Sequence, residues 1–132
     1  MRAVDTNVLV RLITRDDRKR VEAAESFVEK GAWISHLVLA ETTWVLDSVC
    51  ELTAAQIATA VEMLTNHEQL TIQDPDVVAL ALDSFRKRPT VCFSDNLIVE
   101  IVEIARKNGH LPVGTFDRDL ARADGAQRLR AP

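Results

Sequence analysis

Apolar positions along this chain follow two rhythms. Short apolar runs bounded by polar or turn-forming residues alternate with longer stretches whose apolar positions recur three and four apart. "RAVD" at the start predicts a very short strand. "TNVLVRLIT" then places Val8, Leu9, Leu12 and Ile13 at helical spacing. "RDDRKRVEAAESFVEKG" predicts a second helix, with Asp16 and Asp17 near its start, Val21, Ala24 and Val28 on one stripe, and Gly31 as its stop. "AWIS" is a second strand and "HLVLAETTWVLDSVCE" a third helix. "LTAAQIATAVEMLTNHE" predicts a fourth helix, with Thr53 and Gln56 spaced for a capping box and a stripe of Ile57, Val61 and Leu64. "QLTIQ" is a third strand. "DPDVVALALDSFRKRP" is a fifth helix, with Asp74 as cap, Pro75 at its first position and Pro89 past its end. "SDNLIVEIVEIARKNG" is a sixth, capped by Ser94 and stopped by Gly109. "LPVGTF" is a fourth strand, "DRDLARADG" a short final helix and "AQRL" a last strand.

Short strands alternating with helices predict an α/β domain. Its central sheet, of four to five short, mainly parallel strands, would be covered on both faces by about seven helices. The 132 residues suit one domain spanning 1–132. With four Gly and four Pro there is no linker composition to divide it. Ligands of such folds bind beyond the carboxyl ends of the strands. Asp5 and Asp117 each stand at such an end.

Charge and cysteine content narrow the picture. The net charge of −4 argues against general coating of nucleic acid. It leaves room for a nuclease, because bound divalent cations invert the local sign where acids cluster. Cys50 and Cys92 lie in apolar surroundings without metal-finger spacing, which predicts buried reduced thiols. No apolar run is long enough to cross a bilayer, and "MRAVDTNVLV" lacks the pattern of a signal peptide. The expected location is cytoplasmic, with no membrane partner.

Four acids carry the candidate chemistry. Asp5 and Asp117 each precede a predicted helix, where an aspartate also serves as a plain N-cap. Glu41 lies inside the third helix, with Leu37, Val38, Trp44 and Val45 as its helical neighbours. That setting predicts a core-facing carboxylate, which needs an ion partner or a metal. Asp95, in the first turn of the sixth helix, is expected below Ile98, Val99 and Val102, away from an exposed row of Glu100, Glu103 and Lys107. The joint reading brings two strand-end acids and two inward helix acids into one pocket. Such a pocket suits Mg²⁺ or Mn²⁺ with water completing the shell. His36, His67 and His110 lack ligand spacing.

The chain resembles PIN domains, and within them the VapC-type toxin ribonucleases. "AVDTNVLVRLI", "ISHLVLAETTWVL", "FSDNLIVEIVEIARKNG" and "VGTFDRDLAR" carry the resemblance over nearly the whole length, in order. It implies a PIN-like three-layer sandwich. It also implies an Mg²⁺- or Mn²⁺-dependent endoribonuclease, the toxin of a VapBC-type pair, usually homodimeric and inhibited by a small VapB-type antitoxin. Asp5, Glu41, Asp95 and Asp117 match the family's acids one by one, and Asp119 stands close enough to share the metal with Asp117. Asn96 takes a place where the family usually has a small residue. The implied reaction is hydrolysis of an RNA phosphodiester by metal-activated water, leaving a 5′-phosphate and a 3′-hydroxyl.

Thr6, Asn7 and Thr115 are candidates for supporting the acids or touching phosphate, though capping and plain strand-end roles serve them equally. Arg11, Arg15 and Arg18 are candidate RNA contacts or a solvated basic face. Trp33 and Trp44 are expected in the core. The second to fourth helices hold enough apolar surface for a helix-in-groove contact with an antitoxin. A phospho-acceptor, receiver-like domain is an alternative. It would want an acidic pair after the first strand and a lysine after the last, neither of which is present. A non-catalytic binding module and a nuclease acting on DNA are further readings.

Overall fold

The computed structural model describes residues 1–131. Three strands, β1 (Arg2–Ala3), β2 (Ala32–Ile34) and β3 (Leu70–Ile72), form a parallel sheet in the order β1-β2-β3. Ala32 pairs with both Arg2 and Leu70, and Ile34 pairs with Ile72. Two helices make each crossover. These are α1 (Thr6–Thr14) and α2 (Arg18–Val28) before β2, then α3 (His36–Ser48) and α4 (Ala54–Asn66) before β3. Next come α5 (Pro75–Lys87), α6 (Phe93–Val99) and α7 (Ile101–Lys107). The chain ends in β4 (Val113–Thr115), a 3-10 turn at Leu120–Arg122 and β5 (Ala126–Arg128). This is the mixed α/β sandwich that the alternation predicts, with seven α-helices and five short strands among the described residues.

The strands divide differently from the expectation of one sheet. β4 and β5 pair in parallel with each other and form a second, two-stranded sheet. β1 is two exposed residues long, so its edge offers little backbone ladder to a fourth strand. The apolar core lies around the three-stranded sheet, on Leu9, Ile34, Leu39, Leu46, Val61, Val77, Val78 and Phe93. None of β4 or β5 belongs to it.

Helix ends follow local chemistry. Asp17 accepts the Arg20 N–H at 3.2 Å and starts α2, and Ser35 accepts the Val38 N–H at 3.1 Å and starts α3. Thr53 and Gln56 form the expected capping box, at 2.9 and 3.2 Å. Asp74 occupies the cap position of α5, but its φ of 39° carries the side chain away from the helix and it makes no cap hydrogen bond. The sixth predicted helix begins one residue before Ser94, with Cys92 at the cap, and breaks at Glu100 into α6 and α7. There the Glu100 N–H bonds to Leu97 O at 3.1 Å, a tight three-residue step that shifts the phase of the following turn. The predicted last helix reduces to the 3-10 turn.

Candidate active site

Asp5 follows β1 and caps α1. One carboxylate oxygen, Oδ1, accepts the Val8 N–H at 3.3 Å. Asp117 follows β4 in a tighter arrangement. Its own N–H donates to Thr115 Oγ1 at 3.0 Å, and its Oδ1 accepts the N–H groups of Asp119 at 2.7 Å and Leu120 at 3.2 Å. Thr115, half-buried, thus orients the loop that carries Asp117. In both aspartates the cap engages Oδ1 and leaves Oδ2 facing solvent, so capping and ligation are compatible. Thr6 is buried at the start of α1, while Asn7 and Asp119 are exposed.

Glu41 and Asp95 stand otherwise than their neighbours in sequence predict. Both are exposed. α3 turns Leu39, Thr42, Thr43 and Leu46 to the core. Glu41 lies on another stripe with Leu37 and Trp44, which are 79% and 57% exposed. The helix is apolar on two faces, and the stripe around Glu41 is the outer one. Trp44 therefore departs from the core position expected of it, and Trp33 is only partly covered at 36%. Around Asp95, Ile98 and Val99 are exposed and Glu100 and Glu103 half-buried, against the predicted rows, whereas Val102 is buried and Lys107 exposed as expected. The break at Glu100 accounts for the exchange. Burial pushes the Glu100 carboxyl above its usual range, and the neighbouring Glu103 adds to the shift.

These four acids share an unpaired setting with several others among the described residues, including Asp47 and Asp83. Among the described residues, ion pairs engage other carboxylates, such as Asp16 with Arg11 at 2.8 Å and Glu25 with Arg15 at 2.7 Å. Asp5, Glu41, Asp95, Asp117 and Asp119 have no Lys or Arg partner among the described residues. The same pairs occupy the arginines proposed to meet RNA, since Arg18 also bonds Glu22 at 3.4 Å. Arg11, Arg15 and Arg18 therefore form a paired polar face on α1 and α2.

Open carboxylate oxygens are the donors that Mg²⁺ and Mn²⁺ prefer, so the donor chemistry fits a hard divalent cation. The arrangement is not a finished cage. Among the described residues, no three His, Cys, Asp or Glu side chains stand together closely enough to hold one ion. Asp5, Glu41 and Asp95 ride on α1, α3 and α6, and α3 packs against both of the others. Asp117 belongs to the β4–β5 unit, which packs on α7. Asn96, beside Asp95, is buried, and its Nδ2 donates to Val91 O at 3.1 Å and Cys92 O at 3.0 Å. An asparagine just inside a helix start, next to the candidate acid, was the available signal for that lock.

Cys50 and Cys92 are half-buried free thiols. No helix among the described residues is long and apolar enough to cross a membrane. No curated protein and no solved structure matches the chain. The PIN domain family model matches residues 2–126, a span that includes α1, α3, α6 and the Asp117 loop, and the chain belongs to that family, whose fold is of the nuclease type.

Proposed function

We propose that this chain is a divalent-metal-dependent endoribonuclease and the toxin half of a VapBC-type toxin–antitoxin pair. One observation carries the reading. The four acids that match the family pattern, Asp5, Glu41, Asp95 and Asp117, are all solvent-facing and free of basic partners among the described residues, so their carboxylates are open to a cation. Family membership removes the phospho-acceptor alternative.

In this reading the four carboxylates, with Asp119 in reserve, hold Mg²⁺ or Mn²⁺. The ion supplies an acidified water and neutralises charge on the phosphate. Asp5 and Asp117 each keep one oxygen on backbone N–H groups, which fixes the direction of the other. Thr115 sets the Asp117 loop, and Asn96 sets the turn that carries Asp95. Thr6 and Asn7, following Asp5, are the polar groups nearest to it in the chain. Arg11 is held by Asp16 and contributes structure rather than a free phosphate contact.

A groove of about 790 Å³ between α1, α2 and α4 supports the antitoxin part of the proposal. Leu12, Ile13, Val28 and Leu64 line it, with Glu22, Glu25 and Arg15 at polar positions, a composition suited to an amphipathic helix. Leu37, 79% exposed at the start of α3 and outside the cavity that Trp44 lines, is compatible with a homodimer contact.

The deciding experiment incubates partner-free protein with end-labelled RNA and Mg²⁺ or Mn²⁺, beside Asp5→Ala and Asp95→Asn. Wild type should cleave and leave 5′-phosphate and 3′-hydroxyl ends, and chelation should stop it. Each variant should lose about 10²-fold or more in rate, the scale of removing a preorganised electrostatic group. Equal cleavage by wild type and variants, or cyclic phosphate ends, would sink the assignment. A chain that binds RNA without cutting it would be the non-catalytic module.

A further inference from the structure

One turn beyond Glu41 on α3, and adjoining Asp95 on α6, lies a cavity of about 360 Å³ that none of the four acids lines. Its walls come from the outer half of α3, the segment from Leu52 into α4, the end of α5 at Phe85 with Pro89 just past it, and the turn leading into α6, with Leu52, Ile57, Phe85 and Phe93 giving it an apolar floor. Trp44 stands in its wall, 57% exposed. Asp47, one turn on from Thr43, also lines it, exposed and with no basic partner among the described residues. Thr43 is 3% exposed, and its hydroxyl donates to Ala40 O at 2.9 Å, so its oxygen retains acceptor capacity.

We propose that this cavity receives one unpaired nucleobase of a single-stranded RNA, stacked on Trp44 and read by Asp47. The inference rests on the nuclease reading for its choice of substrate. Position supports it first. Trp44 is three residues from Glu41 on the same helix face, and residues so spaced are direct neighbours. Ser94, in the cavity wall, precedes Asp95. A strand whose phosphate lies near Glu41 and Asp95 would set a flanking nucleotide at this mouth. Size agrees, since small-ligand pockets begin at roughly 300 Å³.

Chemistry then selects the base over an apolar side chain. An apolar plug would cover the Asp47 carboxylate without giving it a donor, an unfavourable burial. A base offers an aromatic face to Trp44 and edge N–H groups to Asp47, and single-stranded RNA is recognised by this combination. Asp47 favours bases bearing an exocyclic amine, as acidic side chains accept from the cytosine amino group. Uracil has no amine, and its one edge donor, N3–H, is flanked by two carbonyl oxygens that repel the carboxylate.

The test uses the whole chain in chelator, so that cleavage does not intrude. Anisotropy of labelled oligo(C), oligo(A) and oligo(U) gives affinities, and tryptophan emission in a Trp33→Phe background reports Trp44 alone. Oligo(C) and oligo(A) should quench Trp44 and bind more tightly than oligo(U). Trp44→Leu should weaken binding roughly 5- to 150-fold, the range for losing one stacked base, while Trp44→Phe keeps most of the affinity. Asp47→Asn should bring oligo(U) level with oligo(C). Unchanged binding in Trp44→Leu, or an unchanged base preference in Asp47→Asn, overturns the proposal. So does a parent that sediments as a dimer and a Trp44→Leu variant that does not, because the face then belongs to a second copy. Expected binding with no cleavage on adding Mg²⁺ or Mn²⁺ retains the base site and removes the hydrolase. Cleavage unchanged in site and rate by Trp44→Leu does the opposite.

Discussion

Asn96 donates both amide hydrogens to consecutive carbonyls, Val91 and Cys92, and so closes the turn that enters α6. The Cys92 carbonyl has a second donor in the Asn96 N–H at 3.2 Å. Val91 does not gain one if the side chain is removed. Asn96→Leu, near in size and unable to donate, should therefore cost about 0.5–1.5 kcal/mol, the net worth of a hydrogen bond whose lost acceptor belongs to the exposed Val91. Urea unfolding should show a lower midpoint at an unchanged slope. A midpoint equal to wild type would show the amide to be dispensable. The neighbouring acid illustrates what single residues disclose in sequence. Asp5 and Asp117 are legible because a strand end followed by a helix or turn is a local event. Glu41 is not, because its exposure depends on which of two apolar faces of α3 meets the sheet. Thr42 and Thr43 are buried while Leu37 and Trp44 are not, and only tertiary packing makes that choice.

Punctuation marked the ends of some elements but not the breaks inside them. Thr53 with Gln56 and Pro75 after Asp74 mark α4 and α5 at their observed starts. The break between α6 and α7 has no Gly or Pro to announce it, and it turns Glu100 inward. Burial raises the Glu100 pKa above its ordinary 4.5, with repulsion from Glu103 second. A carboxyl whose folded pKa is raised binds more protons folded than unfolded over the interval between the two values. Stability is therefore lost as pH rises from 4.5 through the folded pKa, and the loss is complete above it. Glu100→Gln, which stays neutral, should raise the melting temperature at pH 7. The gain should shrink as pH falls and vanish below about 4.5. A gain independent of pH would assign the effect to packing instead. At the far end of α7, Lys107 bonds Asp76 and approaches Asp74 at 3.9 Å, fastening the helix to α5. These pairs are solvent-exposed, so they orient α7 more than they stabilise it.

The whole molecule is a well-packed body around β1–β3 with a smaller β4–β5 unit resting on α7, outside the main core. Alternation of strands and helices made the α/β sandwich legible. The division into two sheets was not, since strand pairing is a long-range choice among segments of three residues. That division matters for function because it places Asp117 on the smaller unit and Asp5, Glu41 and Asp95 on the larger. Amides of 113–128 should exchange sooner than those of 32–34 and 70–72, having fewer buried apolar contacts to break. An ion that engages acids from both units would tie the smaller unit to the larger. Mn²⁺ should then raise the melting temperature in a saturable way, by a free energy near 2.7 kcal/mol at about a hundred times the dissociation constant. The same titration should slow exchange at 115–120, around the Asp117 turn, and Asp117→Asn should abolish that local protection. Thermal stabilisation without protection at 115–120 would place the ion on the larger body alone. Asp117 would then act only as the cap of its own turn.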